Sequence, residues 1–301
     1  MKDRINHEGI VFVTEFHVQV HRLAARLPLA KTTYRFARKV ISQVTQDSRV
    51  SQPKETDVES IIGGDYYFSH KGYCACCDRS VVFTARDSWL RDNYLCTSCQ
   101  SIPRERALMT VLEEYYPNWK DMKIHESSPS SRGASPRLKN KAKHYKPTQY
   151  FPNHKFGAIV DGFRNEDLEK QTFKDKSFDL VVTLDVIEHI YNPKKVFQEV
   201  ARTLKTGGAY IFTVPMINKH MRTEIWAKKS KDGAPIFLHE PERHLNPVDV
   251  NGSPVTMHWG YDIVGFIKKS SGLNARIIAQ YDKNKGIMGE YNEVIVATKD
   301  S

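Results

Sequence analysis

Long apolar runs are missing from this chain of 301 residues. None approaches the roughly 20 apolar residues needed to cross a bilayer, and mean hydropathy is −0.53, which excludes a helical membrane protein. Residues 1–14 mix charged with apolar side chains and hold no hydrophobic segment of the kind that directs secretion, so a cytoplasmic location is expected. Cysteine is scarce: the five present all fall between positions 74 and 99. Disulfide scaffolds spread their cysteines along the chain, so this clustering points to a metal site in a reducing compartment. Acidic residues are absent from 127–160, where Arg132, Arg137, Lys139, Lys141, Lys143, Lys146 and Lys155 supply most of the net charge of +10. That imbalance favours an anionic partner.

With 40% hydrophobic and 27% charged residues, the chain can bury a sizeable core, and its length allows about two domains. Residues 1–70 read as an opening segment. Over 13–44 the pattern predicts one or two amphipathic helices, with Phe16, Val20, Leu23, Leu27, Phe36, Val40 and Ile41 apolar and Pro28 as a break. Such helices either pack on the main domain or contact a partner or a membrane surface peripherally. The polar stretch 45–60 reads as a linker. A helix is expected over 101–116. From Lys123 onward, strands are expected at 123–126, 158–160, 178–184, 209–214, 275–280 and 293–298, and helices at 137–145, 193–204 and 261–271. This alternation predicts an α/β fold, a Rossmann-like doubly wound and mostly parallel sheet. The last two strands lack an intervening helix and should form an antiparallel hairpin at one edge.

Cys74-x2-Cys77 and Cys96-x2-Cys99 are separated by 18 residues. Each pair makes a tight turn that aims two thiolates at one point, and two such knuckles complete a tetrahedral zinc site. Residues 71–102 are therefore expected to form a small zinc ribbon, with strands at 80–85 and 94–95. Cys76 is left over. Pairing through Cys76 would give a shorter knuckle, and an iron–sulfur cluster draws on the same four-thiolate set.

The most informative stretch is F-D-L-V-V-T-L-D-V-I-E-H, residues 178–189: an apolar strand that runs out at Asp185. Asn192-Pro193 then caps a helix, and L-K-T-G-G at 204–208 turns into the strand that ends at Pro215. This block resembles the second half of class I S-adenosylmethionine (SAM)-dependent methyltransferases, of the type 11 kind, and the resemblance spans about residues 105–300. Together with the four-cysteine module it is similar to an uncharacterised bacterial group of that family. The resemblance implies a domain over 103–301 that transfers a methyl group from SAM. It places Glu126 at the cofactor's amino group and lets Ser127, Ser128 and Gly133 line the methionine moiety, with Arg132 at its carboxylate. Asp167, with Leu168 beside it, falls on the adenine-contacting acid, and Asp185 on the rim above the cofactor. Two departures stand out. Serines and one glycine replace the glycine-rich loop, and Tyr150-Phe151 stands where an acid would grip the ribose.

Residues 216–258 form a long insertion of the kind that serves as a lid. It carries His239 and His244, which with His189 are the candidates for a base or a substrate contact. The resulting expectation is a methyltransferase for a small-molecule or sugar acceptor, with the basic run allowing an anionic one. An RNA methyltransferase using the zinc ribbon and the basic run ranks second, without an aromatic-rich RNA-binding signature to support it. A non-catalytic binding protein on a degenerate scaffold ranks third. An N/D-P-P-Y/F motif is absent, which argues against methylation of adenine or glutamine nitrogen.

Overall fold

The computed structural model describes residues 4–5, 10–13, 67–246, 248–249 and 251–300. The helices expected over 13–44 and the linker at 45–60 lie outside the described residues, except that Val13 closes a strand.

Strands β1 (Arg4–Ile5) and β2 (Ile10–Val13) open the chain. Next come β3 (Phe68–Cys74), β4 (Arg79–Ala85), the single-turn helix α1 (Leu90–Asn93) and β5 (Tyr94–Cys96). These three strands make a small antiparallel sheet, with the first cysteine knuckle at the β3–β4 turn and the second after β5. The expected ribbon strands at 80–85 and 94–95 are present. The strand β3 is additional, because its half-exposed F-S-H-K-G-Y pattern carries little apolar signal.

Helix α2 (Pro103–Tyr115) starts with proline in its first turn, and Glu105 Oε2 accepts a hydrogen bond from the Ile102 backbone N–H at 2.9 Å. The α/β layer follows: β6 (Lys123–Ser127), α3 (Ala134–Lys141), β7 (His144–Gln149), β8 (Ile159–Val160), β9 (Phe163–Asn165), β10 (Phe178–Leu184), α4 (Pro193–Thr203) and β11 (Leu204–Thr213). Helix α3 stops short of the expected 145 because β7 begins at His144. The sequence H-Y-K-P-T-Q hides β7, since a proline is foreign to central strands. Pro147 is tolerated because β9 pairs only with Thr148 and Gln149, so Pro147 has a strand neighbour on one side alone.

Within 216–258 lie three two-stranded ribbons: β12 (Glu224–Ile225) with β17 (Met257–His258), β13 (Ala227–Lys229) with β14 (Pro235–Phe237), and β15 (Arg243–His244) with β16 (Ser253–Pro254). Helix α5 (Ile263–Ser271), β18 (Asn274–Gln280) and β19 (Val294–Thr298) complete the described chain.

The main sheet runs β1-β2-β18-β19-β11-β10-β6-β7-β9-β8. From β9 to β11 the pairing is parallel, and β19 lies antiparallel between β11 and β18. The terminal hairpin is as expected, but it is not the edge of the sheet. β2 adds to β18 in parallel register, with Ile277 opposite Ile10.

Alternating side chains feed two core layers. Leu180 and Val182 of β10, Ala209 and Ile211 of β11, and Val294 and Val296 of β19 join α2 and the buried side of the ribbon. Val181, Tyr210, Phe212, Ile295 and Ala297 face the other way, onto Val196, Phe197 and Val200 of α4 and Ile263 and Ile267 of α5. Burying each such large side chain is worth roughly 1.5–3 kcal/mol. The ribbon thus shares the first core layer with the α/β sheet. Buried Arg106 of α2 reinforces this seam: it donates to the Tyr94 and Gly286 carbonyls at 2.8 and 2.7 Å and lies 4.7 Å from the Phe83 ring centroid.

Candidate active site

Parallel strands leave a crevice beyond their carboxyl ends where the winding changes direction. Here that point lies between β6 and β10, since β7 follows α3 on one side and β11 follows α4 on the other. At the end of β6 the chain turns through Ser128, with φ 58°, and reaches Gly133, with φ 64°, at the start of α3. A Cβ at Gly133 would lie 2.1 Å from Glu105 Oε2, so this glycine is required both by its backbone and by the close approach of α2.

Glu126 is fully enclosed below this loop. Its Oε1 accepts from Ser135 Oγ and its Oε2 from Tyr145 Oη, each at 2.5 Å. Burial pushes its carboxyl up to about 7. Glu126, expected at a cofactor's amino group, thus joins the end of β6 to α3 through Ser135 and to β7 through Tyr145. Ser127 is buried and Ser128 half-buried at the rim. Arg132 is turned toward α2 and the ribbon, donating to the Gln100 carbonyl at 3.2 Å and pairing with Glu105 at 3.8 Å.

Beyond β7, the partly exposed Tyr150 stands beside Asp167 and Glu169; burial and these two charges raise its hydroxyl's pKa. Asp167 is half-buried and accepts from the Glu169 N–H at 2.8 Å, and Leu168 points into the core. Tyr150 therefore occupies the position where an acid was sought, with two carboxylates at its side.

Asp185, expected on the rim above the cofactor, stands at the end of β10 and is engaged by side chains of three elements. Its Oδ2 receives Arg91 Nη2 at 2.6 Å and Arg104 Nε at 2.7 Å, and its Oδ1 receives Thr213 Oγ1 at 2.8 Å. Burial opposes its ionisation, but the Arg104 and Arg91 charges outweigh that and hold its carboxyl below the usual range. Neither arginine was singled out by the sequence. Both lie in or next to the ribbon, remote from the strand motif.

The three histidines separate. His189 ends a 3-10 turn (Ile187–His189), donates from Nδ1 to the Pro254 carbonyl at 2.9 Å and packs edge-on against His244, with ring centroids 4.8 Å apart. Burial lowers the pKa of His189. His244 Nδ1 lies 3.6 Å from Glu188 Oε1, and its Nε2 lies 3.4 Å from Glu242 Oε1. His239 is displaced from this group. It stacks at 4.2 Å on Trp226, which also stacks at 3.7 Å on His258. The 216–258 insertion is tied down where it meets the rim, because the Thr256 N–H donates to the Glu188 carbonyl at 2.7 Å and its hydroxyl to the Ile190 carbonyl at 2.6 Å. A small cavity there is lined by Glu188, Pro215, Ile217, Glu242, His244 and Met257, among others.

The four predicted cysteines converge. Cys74 Sγ lies 3.8 Å from Cys99 Sγ and Cys77 Sγ 3.5 Å from Cys96 Sγ, with all four sulfurs within 4.8 Å of one another. A tetrahedral zinc with bonds of about 2.3 Å sets its sulfurs about 3.8 Å apart, so the donor set fits that ion. Cys76 is buried and stands outside the set. The basic run divides: Arg132, Arg137 and Lys143 form ion pairs with Glu105, Glu113 and Asp121, and Lys139, Lys141, Lys146 and Lys155 are exposed. Among the described residues, no helix is long and apolar enough to cross a membrane.

Residues 134–212 match a family described as a methyltransferase domain. The chain is 44% identical over 61 residues to a sarcosine/dimethylglycine N-methyltransferase of Aphanothece halophytica, a match covering 20% of this chain and 22% of that protein, so it spans about a fifth of the curated relative. Similar solved structures include an S-adenosylmethionine-dependent methyltransferase of Mesorhizobium loti, at 14% identity and TM-score 0.41 over 64% of this chain and 96% of that one. Another is phosphoethanolamine N-methyltransferase 2 of Haemonchus contortus, at 12% identity and TM-score 0.41 over 64% of this chain and 52% of that one. The family match begins at the start of α3 and ends within β11, so it covers about a quarter of the chain.

Proposed function

We propose that the chain is a SAM-dependent methyltransferase acting on a small-molecule or sugar acceptor. The observation that carries this reading is the match of residues 134–212 to the methyltransferase-domain family, set on a sheet whose switch point lies between β6 and β10. The cofactor would lie over the ends of β6 and β7, with the Ser127–Ser128 backbone at its methionine end and Asp167 at its adenine. Tyr150 would stand against the ribose, and Leu168 would support the adenine contact from within the core. The fixed charge of Asp185 acts indirectly, by holding the ribbon and α2 against the rim.

Methyl transfer from a sulfonium is an in-line displacement, so proximity and alignment supply most of the acceleration. SAM supplies the electrophilic methyl group when bound. A protonated acceptor atom also needs a base, and His244 is the side chain suited to that role. Its neighbour Glu242 is held by His258 Nε2 at 2.9 Å, and the cavity it lines mixes apolar walls with acid–base groups. The curated relative is named for sarcosine and dimethylglycine, both small molecules, which supports an acceptor of that size. The ribbon's four cysteines would hold a structural zinc, since four thiolates leave no open position.

The test is transfer of a labelled methyl group from SAM to a panel of small amines, hydroxy acids and sugar nucleotides, run beside a structured RNA. Turnover on a small acceptor, reduced at least tenfold by Asp167→Ala, is expected; turnover on RNA alone would reverse the assignment of acceptor.

A further inference from the structure

The Glu188 carboxylate is buried, with 1% of the residue exposed, and neither oxygen has a hydrogen-bond partner among the described residues. A buried carboxylate without a donor is strongly disfavoured unless something positive compensates it. Two imidazole nitrogens face the same oxygen: His189 Nε2 at 3.7 Å and His244 Nδ1 at 3.6 Å. These separations are too long for hydrogen bonds. They suit donors to a shared ion, because bonds of about 2.1 Å at tetrahedral angles set ligand atoms about 3.4 Å apart.

The ring orientations agree. A carbonyl oxygen can only accept, so the 2.9 Å contact with Pro254 puts the proton of His189 on Nδ1 and leaves the Nε2 lone pair aimed at the carboxylate. On the other side of the His244 ring, Glu242 Oε1 lies 3.4 Å from Nε2, while Nδ1 faces Glu188. The His189 lone pair, His244 Nδ1 and a carboxylate oxygen of Glu188 then converge. His189 gives its other N–H to a carbonyl and His244 turns its other nitrogen toward a carboxylate, the outer-shell arrangement that orients histidines bound to metals. Backbone clamps fix the group in place, since the Glu188 carbonyl receives both the N–H and the hydroxyl of Thr256, at 2.7 and 3.0 Å.

We propose that Glu188, His189 and His244 bind a divalent first-row transition ion, with Glu242 as the outer-shell anchor of His244. Two imidazoles and one carboxylate suit Mn²⁺, Fe²⁺, Co²⁺ or Zn²⁺, and three protein ligands leave coordination positions open, unlike the four-thiolate set of the ribbon. Glu188 and His244 line the same cavity as Pro215, Ile217 and Met257. If the methyltransferase reading holds, those positions would receive an oxygen or nitrogen donor of the acceptor, and His244 would then position that donor through the ion instead of serving as its base; the metal site itself does not depend on that reading.

The experiment measures metal alone, with neither cofactor nor acceptor present. The full chain, as purified, is analysed for metal and then titrated with Mn²⁺, which thiolates bind poorly, following loss of the free-ion electron paramagnetic resonance signal. Metal at the histidine site, counted as bound Mn²⁺ plus any copurified ion that a Cys96→Ser variant retains, should come to about one per chain. His244→Ala and the isosteric Glu188→Gln should each weaken Mn²⁺ binding at least 30-fold, while His239→Ala should not. Millimolar Mn²⁺ should raise the melting temperature of the wild-type chain and leave that of His244→Ala unchanged, which keeps the result separate from a folding defect. Absence of both copurified metal at this site and Mn²⁺ binding in the wild type would overturn the proposal. So would unchanged binding in both ligand variants.

Discussion

Asp185 at the end of β10 and Arg91 in the helical turn of the ribbon are joined by a 2.6 Å ion pair across 94 residues of sequence. Arg104 reaches the same Asp185 oxygen from α2 at 2.7 Å. A position that sequence reasoning assigns to cofactor binding is thus the point where the cysteine module is fastened to the rim of the sheet.

Removing one partner of a buried pair leaves the other uncompensated, at a typical cost of about 3–5 kcal/mol. Asp185 also has φ 51°, a conformation that asparagine accepts more readily than other uncharged residues. Asp185→Asn keeps the shape and removes the charge, so it isolates the electrostatic part. Urea unfolding of Asp185→Asn should show a loss of about 3 kcal/mol; a midpoint equal to that of the wild type would remove the ion pair from the account.

Glu126 gives a pH dependence with a defined sign. Its carboxyl titrates near 4.5 in an unfolded chain and is pushed up to about 7 in the fold, chiefly by burial. The folded state therefore holds the proton more tightly. Its stabilising effect is complete below pH 4.5 and is lost as pH rises through 7, by about 3 kcal/mol in total. Glu126→Gln stays neutral throughout, so the variant should match the wild type at pH 5 and exceed it in stability at pH 8. Parallel urea titrations at the two pH values check this.

The ribbon and the sheet share one core layer, so loss of the thiolate metal should reach the whole domain. Metal analysis should show that Cys96→Ser carries about one zinc fewer per chain than the wild type, and calorimetry should show a lower melting temperature for the full chain. Equal zinc content in the two proteins would exclude Cys96 as a ligand.

Gly133 is held at φ 64° against the Glu105 carboxylate. Gly133→Ala should destabilise the chain by about 1–3 kcal/mol through backbone strain and displacement of Glu105. Because the same loop ends at the proposed methionine site, binding of the demethylated cofactor should weaken as well. Thermal melting and calorimetry on one sample separate the two effects.

Much of this was legible in the sequence. The strand expected at 178–184 is Phe178–Leu184 to the residue, because a run buried on both faces and bounded by Ser177 and Asp185 permits little else. The four cysteines meet as their spacing requires. What stayed hidden depends on tertiary partners. β7 has no apolar signature, and its ladder comes from β6. The engagement of Asp185 needed Arg91 and Arg104, which no local pattern marks. Glu188 and His189 sat within the recognised motif, but only the fold brings His244 to them and shows that the Glu188 oxygens lack donors. His239 was grouped with His244 by proximity in sequence, and the Trp226 stack draws it away.

The central claim, a SAM site over β6 and β7, is tested most directly by isothermal calorimetry with SAM and with its demethylated product. The account predicts saturable binding of both at about one per chain, weakened about tenfold or more in Asp167→Ala through loss of a charge-assisted hydrogen bond worth roughly 1.5–3 kcal/mol. No binding of either ligand to the wild-type chain at millimolar concentration would contradict it.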